Sequence, residues 1–260
     1  MTLNNHAIEM VCSKAGMDTE SVPDMYDEVF RCDDSYSVGI IRSWDRFLPL
    51  RETWDTLVEQ HGSHYPFLCH DWFRIWLKHF QGTAGLIIAL VTKDGIPVLI
   101  APLQMRHEKY KKVARARTIA FIGNHHSPIQ SFIFGEKETP DRIQSLRHFF
   151  SVLKKTIRDW DILELESLPE EREIAACAKQ SLASEGIGFR EYFCYNDWLL
   201  ENIDFSGEEY LNGRTKNLRK EIRRRTRRLE EEGDVVFESG DAGENFEKYC
   251  GIYRDVRGRS

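Results

Sequence analysis

Residues 86–105 read LIIALVTKDGIPVLIAPLQM, and they contain the clearest β-strand signal in the chain. Two apolar runs rich in β-branched residues, Leu86–Thr92 and Ile96–Met105, are joined through Asp94-Gly95. Asp-Gly tolerates the positive φ angles of a two-residue turn, whose twist matches that of the strands it connects. The stretch therefore predicts an antiparallel hairpin.

Other strands and amphipathic helices are predicted on both sides of this hairpin. The strand candidates are Tyr36–Ile41, Thr118–Ile122, Ser131–Phe134, Asp161–Leu165 and a final pair, Gly188–Phe193 and Asn196–Leu200. Apolar residues three and four apart predict helices over Arg46–Gln60, His70–Phe80, Asp141–Asp159 and Glu170–Glu185. The aromatic residues of the first two helices fit a packed core better than a binding pocket. The fold class predicted is α/β (α+β), with a mixed, mostly antiparallel sheet flanked by helices.

Changes in composition along the chain indicate that it has three parts. Residues 1–35 are polar and acidic with weak periodicity, and are predicted to form a flexible leader. Residues 36–203 form the first domain. Residues 204–260 begin a second, incomplete domain, in which Ser206 caps one long helix with an apolar stripe at Leu211, Leu218, Ile222 and Leu229. A strand over Val235–Glu238 and a helix over Glu244–Arg257 follow.

Overall composition narrows the functional classes. The net charge of −6 argues against a wholly basic nucleic-acid-binding protein. The six cysteines are scattered without a CxxC pair, which is typical of reduced thiols. No apolar run reaches the roughly 18 residues that a membrane span needs, and the N-terminus does not resemble a signal peptide. We therefore expect a cytoplasmic protein without a membrane span.

Several segments, in their order and separation, resemble one known family. They are Phe67-x5-Phe73-x2-Trp76 with Phe80, Ile100-Ala101-Pro102-Leu103, Phe121-Ile122-Gly123-Asn124, Asp159–Leu165 followed by Leu168-Pro169, and Tyr210-Leu211 before an Arg/Lys-rich helix. Together they are similar to the cellulose-biosynthesis-associated (CelD-like) acetyltransferases of the GNAT superfamily. These are tandem GNAT-like proteins related in architecture to the FemABX peptidyltransferases.

The resemblance implies an acyl-CoA-dependent N-acyltransferase with two GNAT-like repeats. It also implies acetyl-CoA or another acyl-CoA as cosubstrate and a small amine as acceptor, such as an amino sugar in polysaccharide or envelope metabolism. In that family the first repeat is degenerate and the acyl-CoA site belongs to the second. The cradle signature Gln/Arg-x-x-Gly-x-Gly/Ala has no clean instance in this sequence. The chain is therefore expected to lack most of the acyl-CoA site, and no catalytic residue is assigned.

The loop Asn124-His125-His126-Ser127-Pro128 supplies the substrate-binding candidates, Asn124, His126 and Ser127. The alternative is a turn whose polar side chains satisfy the loop backbone. The adjacent histidines lack a third ligand at a suitable spacing, so no metal site is expected. A metal-dependent hydrolase would require metal in the purified protein.

The basic helix, residues 214–228, has three interpretations. It is the solvated face of a packed helix, or it attracts anionic partners through Arg219, Arg223 and Arg227, or it binds nucleic acid. Nucleic acid is the least favoured, because no aromatic residues are interleaved with the cations. The alternative function is a non-catalytic GNAT-like module that binds a partner or an anionic polymer through this helix.

Overall fold

The computed structural model divides the chain into two compact units, residues 1–200 and 201–260. This division lies close to residue 204, where the sequence predicts that a second domain starts. The residues that the structure describes are 2–11, 25–62, 65–81, 84–110, 114–124, 126–157, 159–169, 173–198, 204, 206–236, 243 and 245–258.

The first unit is built on one sheet, with nine strands in the described residues. The strands are β1 (Thr2–Val11), β2 (Glu28–Arg31), β3 (Tyr36–Ile41), β4 (Leu86–Lys93), β5 (Ile96–Tyr110), β6 (Ala114–Phe121), β7 (Ile133–Phe134), β8 (Ile162–Pro169) and β9 (Phe189–Trp198). Their order is β2-β3-β4-β5-β6-β8-β1-β9, with β7 paired to β5. Every pair is antiparallel except β6 and β8.

Helices cover both faces of this sheet. They are α1 (Trp44–Phe47), α2 (Arg51–His61), α3 (His70–Trp76), α4 (Thr139–Thr156) and α5 (Ile174–Ser184), with a 3-10 turn at Leu48–Leu50 and a π turn at Leu77–Gln81. One apolar cluster lies between the sheet and α4 and α5, and a second lies between the sheet and α1 to α3. The predicted fold class, a mixed and mostly antiparallel sheet flanked by helices, is confirmed.

The hairpin of β4 and β5 forms as the sequence predicts. Leu86 pairs with Gln104 and Lys93 with Ile96 across it. Asp94 and Gly95 both take positive φ angles, 52° and 79°. These are the angles of a type I′ turn, which explains why Asp-Gly stands here.

Most aromatic residues of the first helices belong to the core. Trp54 is fully buried, and its indole Nε1 donates a hydrogen bond of 2.8 Å to the carbonyl oxygen of Leu68. Phe73 and Trp76 are 3% exposed, whereas Phe80 is 67% exposed because it lies in the π turn beyond α3. Helical spacing thus identified the packing face, and the apolar contacts fix the helices on the sheet.

The N-terminal region differs from the sequence expectation. A flexible leader is predicted for residues 1–35, but β1 (Thr2–Val11) lies inside the sheet, antiparallel to both β8 and β9. Glu28–Arg31 forms an edge strand beside β3. The segment from Thr2 to His6 (TLNNH) is mostly polar and does not alternate between apolar and polar residues. Its strand conformation therefore comes from backbone pairing with β8 and β9.

The predicted pair of strands at the end of the first unit is also wrong. One strand, β9, runs through both segments, because Tyr195 pairs with Asn5 and Asn196 with Asn4 without a turn between them. Residues 199 and 200 lie outside the described residues. The predicted strand Ser131–Phe134 shortens to Ile133–Phe134.

The second unit contains α6 (Gly207–Asn212), α7 (Lys216–Glu232) and α8 (Phe246–Gly258). The single long helix predicted from Ser206 is therefore two helices. Ser206 caps α6 through a capping box with Glu209, and the hydroxyl of Thr215 accepts a hydrogen bond from the Leu218 N–H to cap α7. Val235 and Val236 are not in a strand, and the remainder of that predicted strand lies outside the described residues.

The three helices of the second unit bury none of their described residues. The apolar stripe of α7 is correspondingly open, with Leu218 45% and Leu229 56% exposed. A helix long and apolar enough to cross a membrane is absent from the described part of the chain.

Candidate functional site

The parallel pair β6–β8 marks an irregular place in the sheet. The two strands pair over only three positions, from Thr118 with Ile162 to Ala120 with Glu164. Farther along β8, Ser167 adopts a positive φ of 59°, which is uncommon for a residue with a side chain. Strands that stop pairing leave main-chain groups that need other partners. Residues 123–130, which follow β6, supply such hydrogen-bond partners.

The loop 123–130 contacts β8 and β9. The Gln130 N–H donates to the carbonyl oxygen of Ser167 at 3.3 Å. The hydroxyl of Tyr195, from β9, donates to the Pro128 carbonyl at 2.6 Å and lies 2.8 Å from Oγ of Ser167. The space beyond the last pair of β6 and β8 is thus occupied by the chain's own loop.

Inside this loop, the predicted candidates hold one another in place. Oδ1 of Asn124 accepts a hydrogen bond of 2.8 Å from the His126 N–H, and the Asn124 carbonyl accepts one of 2.7 Å from the Ser127 N–H. This is the local side-chain-to-backbone bonding that makes Asn favourable in turns. Gln130 Nε2 adds a contact of 3.3 Å to the same carbonyl.

Ser127 is a buried residue of the loop, with 2% of its surface exposed. Its Oγ accepts a hydrogen bond of 3.1 Å from Nε1 of Trp72 in α3. His126 is exposed. Of the three substrate-binding candidates, His126 is therefore the most exposed residue, while Asn124 and Ser127 make the hydrogen bonds expected of a structural turn.

Arg106 reinforces the same region from β5. Its Nη2 donates hydrogen bonds to the carbonyl oxygens of Phe121 at 2.8 Å and Gly123 at 2.6 Å. A guanidinium suits this position because a single terminal nitrogen carries two N–H donors and so reaches two acceptors at once. The carbonyl groups at the end of β6 thus already have donors within the protein. Sequence analysis did not identify Arg106, because its partners lie 15 and 17 positions away on another strand.

Two carboxylates and a tyrosine form a polar group that sequence analysis also missed. Glu164 and Glu166 stand at alternate positions of β8, so both lie on one face of the sheet. The Tyr192 hydroxyl donates to Oε1 of Glu164 at 3.1 Å and lies 3.4 Å from Oε1 of Glu166. Burial, followed by the two carboxylates, raises the pKa of Tyr192 far above its ordinary value. The tyrosine therefore stays protonated and acts as the hydrogen-bond donor of this group.

A second cluster contains Cys32 and His148 but is not arranged for nucleophilic catalysis. His148 Nε2 lies 3.2 Å from a carboxylate oxygen of Asp33, and its ring stacks on Tyr36 with 4.4 Å between ring centroids. Burial, followed by the Asp33 charge, raises the pKa of the Cys32 thiol to about 11. A thiol must be deprotonated to attack, so this environment keeps Cys32 inert near neutral pH.

The anion-steering candidates lie on α7 in the second unit. Glu221 receives Arg224 at 2.7 Å and Arg225 at 2.8 Å, and these hydrogen bonds lower its pKa to about 2. Arg227 lies 3.5 Å from Glu231. Within the described residues, Arg219 and Arg223 make no such ion pair. Of the three anion-steering candidates, Arg227 therefore has a carboxylate partner on α7, whereas Arg219 and Arg223 have none among the described residues.

The predicted residues thus form two groups. Asn124, His126 and Ser127 share one loop of the first unit, and Arg219, Arg223 and Arg227 share α7 in the second, where Arg227 pairs with Glu231. Comparisons of the chain with protein-family models, with curated proteins and with solved structures found no match. Fold and geometry define a mixed α/β protein with one sheet and a separate helical unit in which α7 is basic.

Proposed function

We propose that the protein is an acyl-CoA-dependent N-acyltransferase of the GNAT type, acting on an amino sugar or another small amine in polysaccharide or envelope metabolism. One observation carries the proposal: a mixed, mostly antiparallel sheet flanked by helices is formed within residues 1–200 and is followed by a separate unit whose second helix, α7, is basic. This is the arrangement that the family resemblance implies. The choice of acceptor depends on the resemblance alone.

In this proposal the first unit binds the amine acceptor and does not bind acyl-CoA. A cosubstrate that used the main-chain carbonyl oxygens at the end of β6 would compete with Arg106, which already donates to those of Phe121 and Gly123. An amine acceptor must lose a proton during acyl transfer, and Glu164 and Glu166 are carboxylates able to attract an ammonium group and accept that proton.

The acceptor half of the proposal is tested by NMR titration with glucosamine and, as a matched control, N-acetylglucosamine. We expect glucosamine to shift resonances around β8 and β9 and the N-acetylated sugar, which lacks the ammonium group, to bind more weakly. The double variant E164Q/E166Q should remove the difference. Equal binding of both sugars, or no binding by any amine in a panel that includes simple polyamines, would contradict the acceptor role.

The cosubstrate half is tested by calorimetry with acetyl-CoA. Because the end of β6 is occupied, we expect binding weaker than the micromolar range. Micromolar affinity that disappears in an Arg106→Gln variant would show that the first unit does hold acyl-CoA, and would overturn this division of roles.

A second candidate function is a non-catalytic module that binds an anionic polymer through the basic helix. It is favoured by nine lysines and arginines against one glutamate in residues 214–228, on a helix without buried residues. Titration with an acidic polysaccharide and with RNA at two salt concentrations separates the two functions. Binding that falls steeply with salt and is unaffected by acetyl-CoA supports the module, because counterion release dominates such contacts.

A further inference from the structure

A shallow depression lies between α6 and α7 in the second unit, with a volume of about 130 Å³. Its lining combines apolar and polar side chains. The residues are Glu208, Leu211, Asn212, Arg219, Ile222 and Arg223. Capping fixes both helices that form it, since Ser206 caps α6 and Thr215 caps α7. The two helices that form the depression therefore begin at defined residues.

The charges around the depression are unbalanced. Arg219 and Arg223 stand four residues apart on α7, so their side chains lie on the same side of the helix. Neither forms an ion pair within the described residues, whereas Arg224, Arg225 and Arg227 on the same helix do. Glu208 is the one carboxylate in the lining, so two cations face one anion.

We infer that this depression binds a phosphate or diphosphate group of a ligand. Two guanidinium groups present planar forks of N–H donors that match phosphate oxygens, and the Asn212 amide adds further donors. The apolar side chains of Leu211 and Ile222 partly exclude water, which strengthens such charged hydrogen bonds. The inference requires no acyl transfer and is independent of the function proposed above.

A compact anion fits better than a long polyanion. Only two cations of α7 line the depression, so a polymer bound along the helix would depend equally on cations outside it, such as Lys220 and Arg228. A single phosphate or diphosphate group instead depends on Arg219 and Arg223 specifically. This difference makes the two modes of binding separable by substitution.

The test is titration of the whole 260-residue chain with inorganic pyrophosphate, followed by NMR of the arginine side-chain N–H groups. R219Q and R223Q should each weaken binding about tenfold, the usual cost of one charge-assisted hydrogen-bonding group. E208Q should tighten binding, because it removes the negative charge from the lining. R228Q is the matched control, since it removes one positive charge from the same helix outside the depression and should have a much smaller effect.

Three results would overturn the inference. Equal weakening by R228Q and R223Q would show that the field of the whole helix attracts the anion. Unchanged or weaker binding in E208Q would place the ligand elsewhere. Binding of ADP, used as a diphosphate on a nucleoside, that survives the R219Q/R223Q double substitution would show that these guanidiniums do not hold the phosphates. Circular dichroism of each variant confirms that α7 remains helical.

Discussion

Helices α4 and α7 carry the same kind of amphipathic pattern but differ completely in burial. In α4, Leu146, Phe149 and Leu153 are at most 2% exposed, because they pack on the sheet. In α7, Leu218 and Leu229 are 45% and 56% exposed. The pattern thus predicts that a helix forms and which side is apolar, but the energy comes from what covers that side. The first unit should therefore depend on individual apolar side chains far more than the second.

The largest expected effect is at Trp54. Trp54→Ala removes a fully buried ring and leaves the Leu68 carbonyl without its indole donor, so we expect a loss of about 3–5 kcal/mol in the free energy of unfolding of the first unit. Leu229→Ala, on the open stripe of α7, should cost less than about 0.5 kcal/mol. Urea denaturation followed by circular dichroism measures both. A similar loss in the free energy of unfolding for the two variants would contradict the difference inferred between the two units.

A smaller effect is expected at Ser127. Ser127→Ala removes the acceptor of the Trp72 indole N–H, and an unsatisfied donor in a partly buried position costs about 1–2 kcal/mol. In a Trp72→Phe background the same substitution should cost little, because the donor is already gone. A double-mutant cycle measures this coupling. If the cost persists without Trp72, this hydrogen bond is not the reason for the buried position of Ser127.

The pH dependence of the free energy of unfolding should also arise from groups in the first unit. Burial lowers the pKa of His70, although the Phe47 carbonyl and Asp55 act to raise it, and burial lowers the pKa of His148 as well. A folded state with lowered histidine pKa values binds fewer protons than the unfolded chain, whose histidines titrate near 6.5. The free energy of unfolding should therefore fall as the pH is lowered from 7 through about 6.5.

Denaturation at a series of pH values between about 5.5 and 8 tests this expectation. The H70Q/H148Q variant should show a flatter dependence below about pH 6.5. Above about pH 7.5, where histidines are neutral in both states, its slope should match that of the natural protein. A steep acid loss that is unchanged in the variant would assign the effect to other groups.

The smallest effect is expected on the exposed surface of α7. Hydrogen bonds from Arg225 and Arg224 lower the pKa of Glu221 to about 2, so its contribution is present above the unfolded pKa near 4.5 and is lost as the pH falls through about 2. Because exposed ion pairs contribute little, Glu221→Gln should lower the helical signal of the second unit only slightly at pH 7. Glu230→Gln is the matched control on the same helix. A large loss of helicity with E221Q would mean that these pairs hold α7 together.

Local signals in the sequence predicted the part of the fold that depends on local physics. Asp94-Gly95 defines the hairpin because its turn angles are a property of those two residues. The strand Tyr36–Ile41 was predicted with the bounds that the structure gives it, because its side chains are mostly buried and apolar. The break between α6 and α7 was missed because the spacing of Leu211 and Leu218 continues across Gly213, although the chain there turns.

The candidate site was predictable to a lesser degree. Sequence analysis identified the loop at Asn124 because polar turn residues separate two apolar segments. The groups that close this loop, Arg106 and Tyr195, come from other strands, and no spacing rule connects them with it. Glu164 and Glu166 could have been noticed from their alternation on β8. Their contact with Tyr192 required the pairing of β1 with both β8 and β9.

The placement of β1 has a consequence for how the chain assembles. His6 pairs with Leu168 on one side and with Phe193 on the other, so β1 finds both of its partners only after the chain has been made through residue 193. Contacts between such distant parts of a chain form slowly, because a long loop must close first. Until then β8 and β9 expose unpaired edges to other molecules. Ribosome-bound or N-terminally shortened forms should accordingly be prone to aggregation at this edge.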